Sequence, residues 1–122
     1  MAEYVPIYEP GDAIPVTLSG TATGGQLLAV SGNGTVAVSA AASAKAVGVA
    51  AFDGVSGDKI TMFGRGPVHR LTASGTVTAG DAVEPAAAGA VATHAAGTND
   101  AYVFGVALTT ATTGNTVEIM EV

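Results

Sequence analysis

The sequence predicts an all-β fold: a small β-barrel or sandwich built from two similar β units of about 55 residues, with an extended N-terminal arm. Three observations predict it: an internal repeat, short apolar segments separated by turn residues, and no sustained 3.6-residue periodicity of the kind that marks a helix. We expect the arm at residues 1–15 and a single β domain at 16–122, with its two units at 16–66 and 67–122.

The repeat begins at residues 20–30, which recur 55 residues later at 75–85. Two extra residues then shift the offset to 57, at which residues 47–50 match 104–107 and residues 57–62 match 114–119. The same order of turns and strands therefore occurs twice, which favours a duplicated unit over a chance match. The identical pairs at the offset of 55 are Gly20 and Gly75, Thr21 and Thr76, Thr23 and Thr78, Gly25 and Gly80, Gly34 and Gly89, Val36 and Val91, and Ala37 and Ala92.

The first unit should contain five strands, at residues 14–18, 26–30, 35–39, 46–52 and 59–63. The Asn-Gly pair at 33–34 predicts a hairpin turn, because these residues adopt positive φ at low cost. The alanine-rich segment at 40–44 is too short to hold a helix and should be a loop or a single turn. Gly48, inside an apolar strand, indicates a bulge or a close approach of another backbone.

The second unit should repeat this order, with strands at residues 68–71, 81–84, 90–94, 102–108 and 116–122. We interpret residues 68–71 as the counterpart of 16–18, and Gly105 as the counterpart of Gly48. Asp53, Asp58 and Asp81 fall at turns, where an aspartate side chain stabilises the backbone.

The composition suits a protein that works through surface area. Only 11% of the residues are charged and 48% are apolar, yet there are just three Phe, three Tyr and no Trp. Because burial contributes roughly 25 cal/mol per Å², a core with so few bulky side chains gains from association with another surface. The mean hydropathy is +0.47, but no run of about 18 apolar residues predicts a membrane span.

Charge and motifs argue against several functions. A net charge of −6, with Lys45, Lys59, Arg65 and Arg70 as the cations, is unfavourable for nucleic-acid binding. The absence of cysteine excludes disulfides and thiolate zinc sites. The first residues lack the basic and apolar regions of a secretory signal, so we expect synthesis and use, or assembly, in a cytoplasm.

No constellation of residues predicts catalysis. His69 and His94 have no partner at metal-ligand spacing and are interpreted as ordinary strand or surface histidines. There is no Gly-x-Ser-x-Gly elbow, no phosphate-binding or dinucleotide motif, and no calcium loop. Arg65 is interpreted as a solvated turn charge or a partner contact. We therefore expect no enzyme, no cofactor, no metal and no small-molecule substrate.

The arm should be extended, because proline fixes φ and biases the preceding residue away from helix. It carries Tyr4, Val5, Ile7 and Tyr8, which are large apolar residues in a chain that has few of them. Two interpretations stay open: the arm is an edge strand of its own domain, or it lies on the surface of a partner.

Four segments resemble bacteriophage capsid decoration, or cement, proteins. They are residues 8–17 (Tyr-Glu-Pro-Gly-Asp-Ala-Ile-Pro-Val-Thr), the Gly-x-Val-x-Ala-Gly-Asp turn at 75–81, residues 45–50 (Lys-Ala-Val-Gly-Val-Ala) and residues 102–108 (Tyr-Val-Phe-Gly-Val-Ala-Leu). The resemblance implies a β-barrel-like body that binds the outer surface of an assembled head, bridges major capsid protein subunits and often forms a homotrimer. It implies a location on the virion, after synthesis in the bacterial cytoplasm, with no catalytic residue and no contact with nucleic acid or membrane.

In some decoration proteins an N-terminal arm becomes ordered on the shell. Carried onto this chain, that role falls on residues of the arm, which become the expected capsid-binding residues: Tyr4, Val5, Pro6, Ile7, Tyr8 and Glu9. The alternative function is a carbohydrate- or host-surface-binding β module of a phage virion. The lack of Trp and the presence of only three Tyr for stacking on sugars count against it.

Overall fold

Period-two alternation of apolar and polar side chains produces most of the strands, because successive side chains of a strand point to opposite faces of its sheet. In residues 59–63, for example, Ile60 and Met62 are buried, whereas Lys59 and Phe63 are exposed. The structure is a computed structural model and describes residues 13–64, 68–95 and 99–121.

The described residues form ten strands and two short 3₁₀ turns, Ala87–Gly89 and Asp100–Tyr102, so the all-β prediction is confirmed. All ten predicted strands are present, with shifted ends. The largest shift is at residues 102–104, since Tyr102 ends a 3₁₀ turn and the strand begins only at Gly105. The strands are β1 (Ala13–Leu18), β2 (Leu27–Gly32), β3 (Thr35–Val38), β4 (Ala46–Ala50), β5 (Lys59–Phe63), β6 (Val68–Thr72), β7 (Ala82–Pro85), β8 (Val91–Thr93), β9 (Gly105–Ala107) and β10 (Thr116–Glu121).

The first unit, β1–β5, is a closed barrel with the strand order β1-β3-β2-β4-β5. The second unit, β6–β10, is a five-stranded sheet with the order β6-β10-β9-β7-β8. One isolated parallel bridge, Ala73 with Val91, joins the two ends of that sheet. It corresponds to the parallel pair of Leu18 with Val36 that closes the first unit. Both units therefore have the same strand neighbours around a ring.

Equivalent turns in the two units make the same hydrogen bonds. Gly25 N–H donates to Ala50 O at 2.8 Å, and Gly80 N–H donates to Ala107 O at 2.7 Å. Gly25 has a φ of 89° and Gly80 a φ of 93°, a conformation in which a Cβ would be strained. Hydrogen bonding thus recurs at offsets of 55 and 57 residues, as the sequence match does.

Each unit has its own apolar core, and the two cores use corresponding positions. The members of the first are Leu18, Ala22, Leu28, Val36, Ala50, Ile60 and Met62. Their counterparts, in the same order, are Ala73, Val77, Val83, Val91, Ala107, Val117 and Ile119, and all of them belong to the second core.

The prediction that residues 68–71 correspond to residues 16–18 is wrong, because the pairing of the strands gives a different alignment. Val68 lies opposite Met120 in the β6–β10 ladder, as Ala13 lies opposite Phe63 in the β1–β5 ladder. Val68 therefore corresponds to Ala13, and Leu71 corresponds to Val16. Residue type alone gives the wrong alignment here, whereas the pairing of each strand with the last strand of its unit gives the correct one.

Gly48 and Gly105 are sites of close backbone approach, which confirms that prediction. A Cβ at Gly48 would collide with the carbonyl oxygen of Phe63, and a Cβ at Gly105 would collide with that of Met120. Each glycine therefore lets the fourth strand of its unit lie close against the last one.

The three turn aspartates accept backbone hydrogen bonds, as the sequence indicates. Asp53 Oδ1 accepts from Gly24 N–H at 2.8 Å. Asp58 Oδ2 accepts from Val55 N–H at 3.0 Å, and Asp81 Oδ2 accepts from Thr78 N–H at 3.0 Å.

The units meet at a contact that we call the joint. Leu27, Ala46 and Val49 of the first unit are buried within the second core. Around them, Gly89 N–H donates to Ser39 O at 3.2 Å. Two further hydrogen bonds cross the rim, from Ala42 N–H to Pro85 O at 2.9 Å and from Gln26 Nε2 to Ala88 O at 3.0 Å.

Candidate binding surfaces

The predicted capsid-binding residues lie in the N-terminal segment, outside the residues that the structure describes. Arg65, which follows β5 in the chain, also lies outside the described residues. Ala13–Pro15, which the sequence places in the arm, belong to β1. The structure instead presents two surfaces on the barrel bodies that sequence reasoning did not single out.

The first surface is an apolar cavity of about 430 Å³ on the first unit. β1 pairs with β5 over five residues but with β3 over only two, Thr17 with Thr35 and Leu18 with Val36. The barrel wall is therefore incomplete between the start of β1 and the β2–β3 hairpin. We call this cavity the socket and define it by five apolar residues of its lining, Val16, Val30, Val36, Val47 and Met62; Pro15 and Lys59 also line it.

The five corresponding apolar positions are fully buried in the second unit, where each is less than 2% exposed. In the socket, Val36 and Met62 are also buried, but Val16 and Val47 are half-buried and Val30 is 46% exposed. Two differences explain this: Phe104 stands where the socket has the smaller Val47, and the first unit packs over the second at the joint. The five counterparts are Leu71, Pro85, Val91, Phe104 and Ile119.

The second surface is a row of apolar side chains on the outer face of the second unit. Ladder pairs connect it across four strands: Val68 with Met120, Met120 with Val106, and Val106 with Ala82. Val68 is 50% and Met120 49% exposed, while Val106 and Ala82 are half-buried. Contiguous exposed apolar side chains of this kind are typical of contact surfaces.

A groove of about 530 Å³ runs along the joint and has a more polar lining, which includes Gln26, Arg70 and Thr116. Arg70 Nε lies 3.9 Å from Glu118 Oε2, and both side chains are largely exposed. An exposed ion pair of this kind contributes at most about 1 kcal/mol to stability.

His94 is held by two carboxylates. Its Nδ1 lies 2.8 Å from Glu84 Oε1 and its Nε2 lies 3.1 Å from Asp100 Oδ1, with only 4% of the side chain exposed. His69 is also buried, with Nε2 at 3.2 Å from Glu121 Oε2 and 3.3 Å from Gly64 O. His69 lies in β6, in agreement with its interpretation as a strand histidine. The sequence did not predict that either histidine pairs with a carboxylate.

The His94 cluster predicts that the stability of the protein depends on pH. Hydrogen bonds to Glu84 and then to Asp100 raise the pKa of His94 above its usual 6.5. A raised pKa means that the folded protein holds this proton more tightly, so its stabilising effect is complete below the ordinary pKa and is lost as pH rises through the raised one.

We expect the wild-type midpoint of urea unfolding to fall more steeply than that of His94→Gln as pH rises above 6.5, the ordinary pKa of histidine, because glutamine cannot titrate. Urea titrations at a series of pH values measure the two slopes. Equal slopes would show that His94 does not contribute to this pH dependence.

Within residues 13–64, 68–95 and 99–121, no group of three or more His, Asp and Glu side chains is placed to hold a metal ion. The same residues include no helix that is long and apolar enough to cross a membrane.

Known proteins resemble this chain in sequence pattern and in fold. A search of curated protein sequences gave no match. The crystal structure of the head fiber gp8.5 N base in bacteriophage phi29 is similar in fold, with a TM-score of 0.72 and 19% identity over 91% of this chain and 93% of that one. A family model described as phage cement protein matches residues 8–122, which span both units. The chain belongs to the phage cement protein family.

Proposed function

We propose that this protein is a structural decoration protein that binds the outer surface of an assembled phage head. It stabilises the head by bridging neighbouring major capsid protein subunits. The observation that carries the proposal is the match of the phage cement family over residues 8–122. Capsid decoration proteins, which the chain resembles, often form trimers, and this favours a homotrimer as the bound form.

Two physical effects account for stabilisation. Copies that bind the same symmetric lattice through several contacts gain avidity, since each further contact is made at a high effective concentration. A protein that binds the assembled shell but not free subunits also shifts the equilibrium toward the shell by mass action. Both effects need surface area rather than a reactive group.

The described residues offer such area. Exposed Val68 and Met120 are neighbours on the outer row, and Phe63 is exposed at the corresponding position of the first unit. The net charge of −6 favours basic patches on the capsid as the electrostatic partner. The arm, with Tyr4, Ile7 and Tyr8, would add apolar contacts.

Deletion of residues 1–12 tests the arm. Since β1 begins at Ala13, the truncated protein keeps all ten strands and should unfold at nearly the same urea concentration as the full chain. We expect its occupancy on assembled heads to fall strongly, because the large apolar side chains of the arm are lost. Sedimentation of heads with each protein, followed by quantification of the bound chain, measures occupancy.

Full occupancy by the truncated protein would remove the arm from the capsid contact and leave the barrel surfaces to make it. A full-length chain that does not sediment with heads at any concentration would contradict the proposed function itself. Free capsid subunits, on which we expect little binding, serve as the control for recognition of the assembled lattice.

A further inference from the structure

The two units are joined head to tail. One surface of the first unit packs against a different, complementary surface of the second unit. At the joint, a face of the first unit formed by Leu27, Ala46 and Val49 is buried against the second unit. The core into which these residues insert also contains Leu71 and Phe104, and the groove along the joint is lined by Thr72 and Thr116. All four are counterparts of residues that line the socket. The joint is thus a contact between the face of one unit and the socket position of the other.

A second copy of each surface is left over on the chain. The socket on the first unit is open. The counterparts of Leu27, Ala46 and Val49 on the second unit are Ala82, Val103 and Val106, which are half-buried and apolar; we call these three residues the second-unit face. Ladder pairing confirms the correspondence, because Leu27 pairs with Val49 as Ala82 pairs with Val106.

Glycine packing shows that the socket rim has room for a partner. A Cβ at Gly89 would come within 2.8 Å of Gln26 Cβ, because the first unit presses on that turn at the joint. Its counterpart Gly34 has nothing within 4 Å of the same position. The turn beside the socket therefore lacks the neighbour that the corresponding turn has in the joint. The two turns share the positive φ of Gly34 and Gly89 but differ at the preceding residue, since Ala88 has a φ of 59° and Asn33 has no positive φ.

Charge is complementary between the two free surfaces. Gln26 and Thr116 both line the groove of the joint, one from each unit. At the corresponding positions the free surfaces carry Asp81, beside the second-unit face, and Lys59, which lines the socket. A second joint formed between copies would bring this acid and this base into one groove, where opposite charges favour the correct register.

We propose that the second-unit face of one copy docks into the socket of the next copy, repeating between chains the joint that exists within each chain. The contact is heterologous, so successive copies form a closed ring where the rotation between them closes. The proposal concerns the protein alone and stands whether or not the capsid is its partner.

Two variants with opposite expectations test the contact. Val106→Glu places a charge in the second-unit face, and we expect loss of the assembled species. Met120→Lys is the matched control: Met120 is 49% exposed, and its counterpart Phe63 remains 43% exposed beside the joint, so this change should leave assembly intact. Sedimentation velocity over a concentration series, with circular dichroism to check folding, measures both.

Directed cross-linking provides a second test that does not depend on disruption. The chain has no cysteine, so Asn33→Cys and Ala82→Cys can be made as separate proteins. Their counterparts, Ala88 and Leu27, belong to segments that touch at the joint, where Gln26 Nε2 donates to Ala88 O and a Cβ at Gly89 would come within 2.9 Å of Leu27 N. We expect an equimolar mixture under mild oxidation to give a disulfide-linked pair that contains one copy of each variant.

Three outcomes overturn the proposal. If Ala82→Cys links to itself but not to Asn33→Cys, the copies meet face to face. If the wild-type protein is a monomer throughout and the mixture gives no mixed disulfide, the socket does not receive a second copy. Dissociation by Met120→Lys as well as by Val106→Glu would centre the contact on the exposed pair Val68 and Met120, which the docking of the second-unit face into the socket leaves uncovered.

Discussion

Replacing Phe104 with alanine is expected to lower the free energy of unfolding by about 3–5 kcal/mol. Phe104 is 1% exposed and belongs to the second core. Its ring centroid lies 6.5 Å from that of His69. In a protein with three Phe and no Trp, few neighbours are large enough to fill the resulting cavity. Urea unfolding followed by circular dichroism measures the loss.

The matched control is Phe52→Ala, since Phe52 is 50% exposed and a surface substitution of this kind changes stability by only about 0.5 kcal/mol. Similar losses for the two variants would contradict the placement of Phe104 at the centre of the second core.

Replacing Leu27 with alanine is expected to cost about 2–5 kcal/mol and to weaken the unit that does not contain it. Leu27 lies in β2 of the first unit, is 0% exposed and belongs to the second core. Its neighbour Leu28 is equally buried but belongs to the first core. Amide hydrogen exchange should therefore accelerate in β6 and β10 for Leu27→Ala, but mainly in the first unit for Leu28→Ala.

Leu28→Ala serves as the control of equal size and burial. If Leu27→Ala leaves exchange in β6 and β10 as in the wild type, the two units do not depend on the joint. That result would also remove the template for the head-to-tail contact between copies.

Local signals account for what the sequence predicts well. Strand existence follows from period-two alternation, as at Ile60 and Met62, and the hairpin turn follows from Asn33 and Gly34. The close approaches at Gly48 and Gly105 could be expected because an isolated glycine within an apolar strand commonly marks a bulge or a neighbouring backbone. Each of these features is decided by residues within a few positions of one another.

Long-range packing decides the rest. Leu27 and Leu28 are adjacent and chemically identical, and only the positions of the two units show that one faces the joint and the other the first core. His94 meets Asp100 and Glu84 through folding of a turn against β7, which residue spacing does not reveal. One sequence feature could have indicated the socket, because Val47 stands where the second unit has the larger Phe104. A smaller residue at that position is also compatible with a core that is packed differently.

A reconstruction of assembled heads with the purified chain bound is the most direct test of a bridging cement function. We expect density for the two-unit body at symmetry-related positions on the outer surface, in contact with more than one capsid subunit at each position. Heads that show no added density, or density in contact with a single subunit only, would contradict a cement function that depends on bridging.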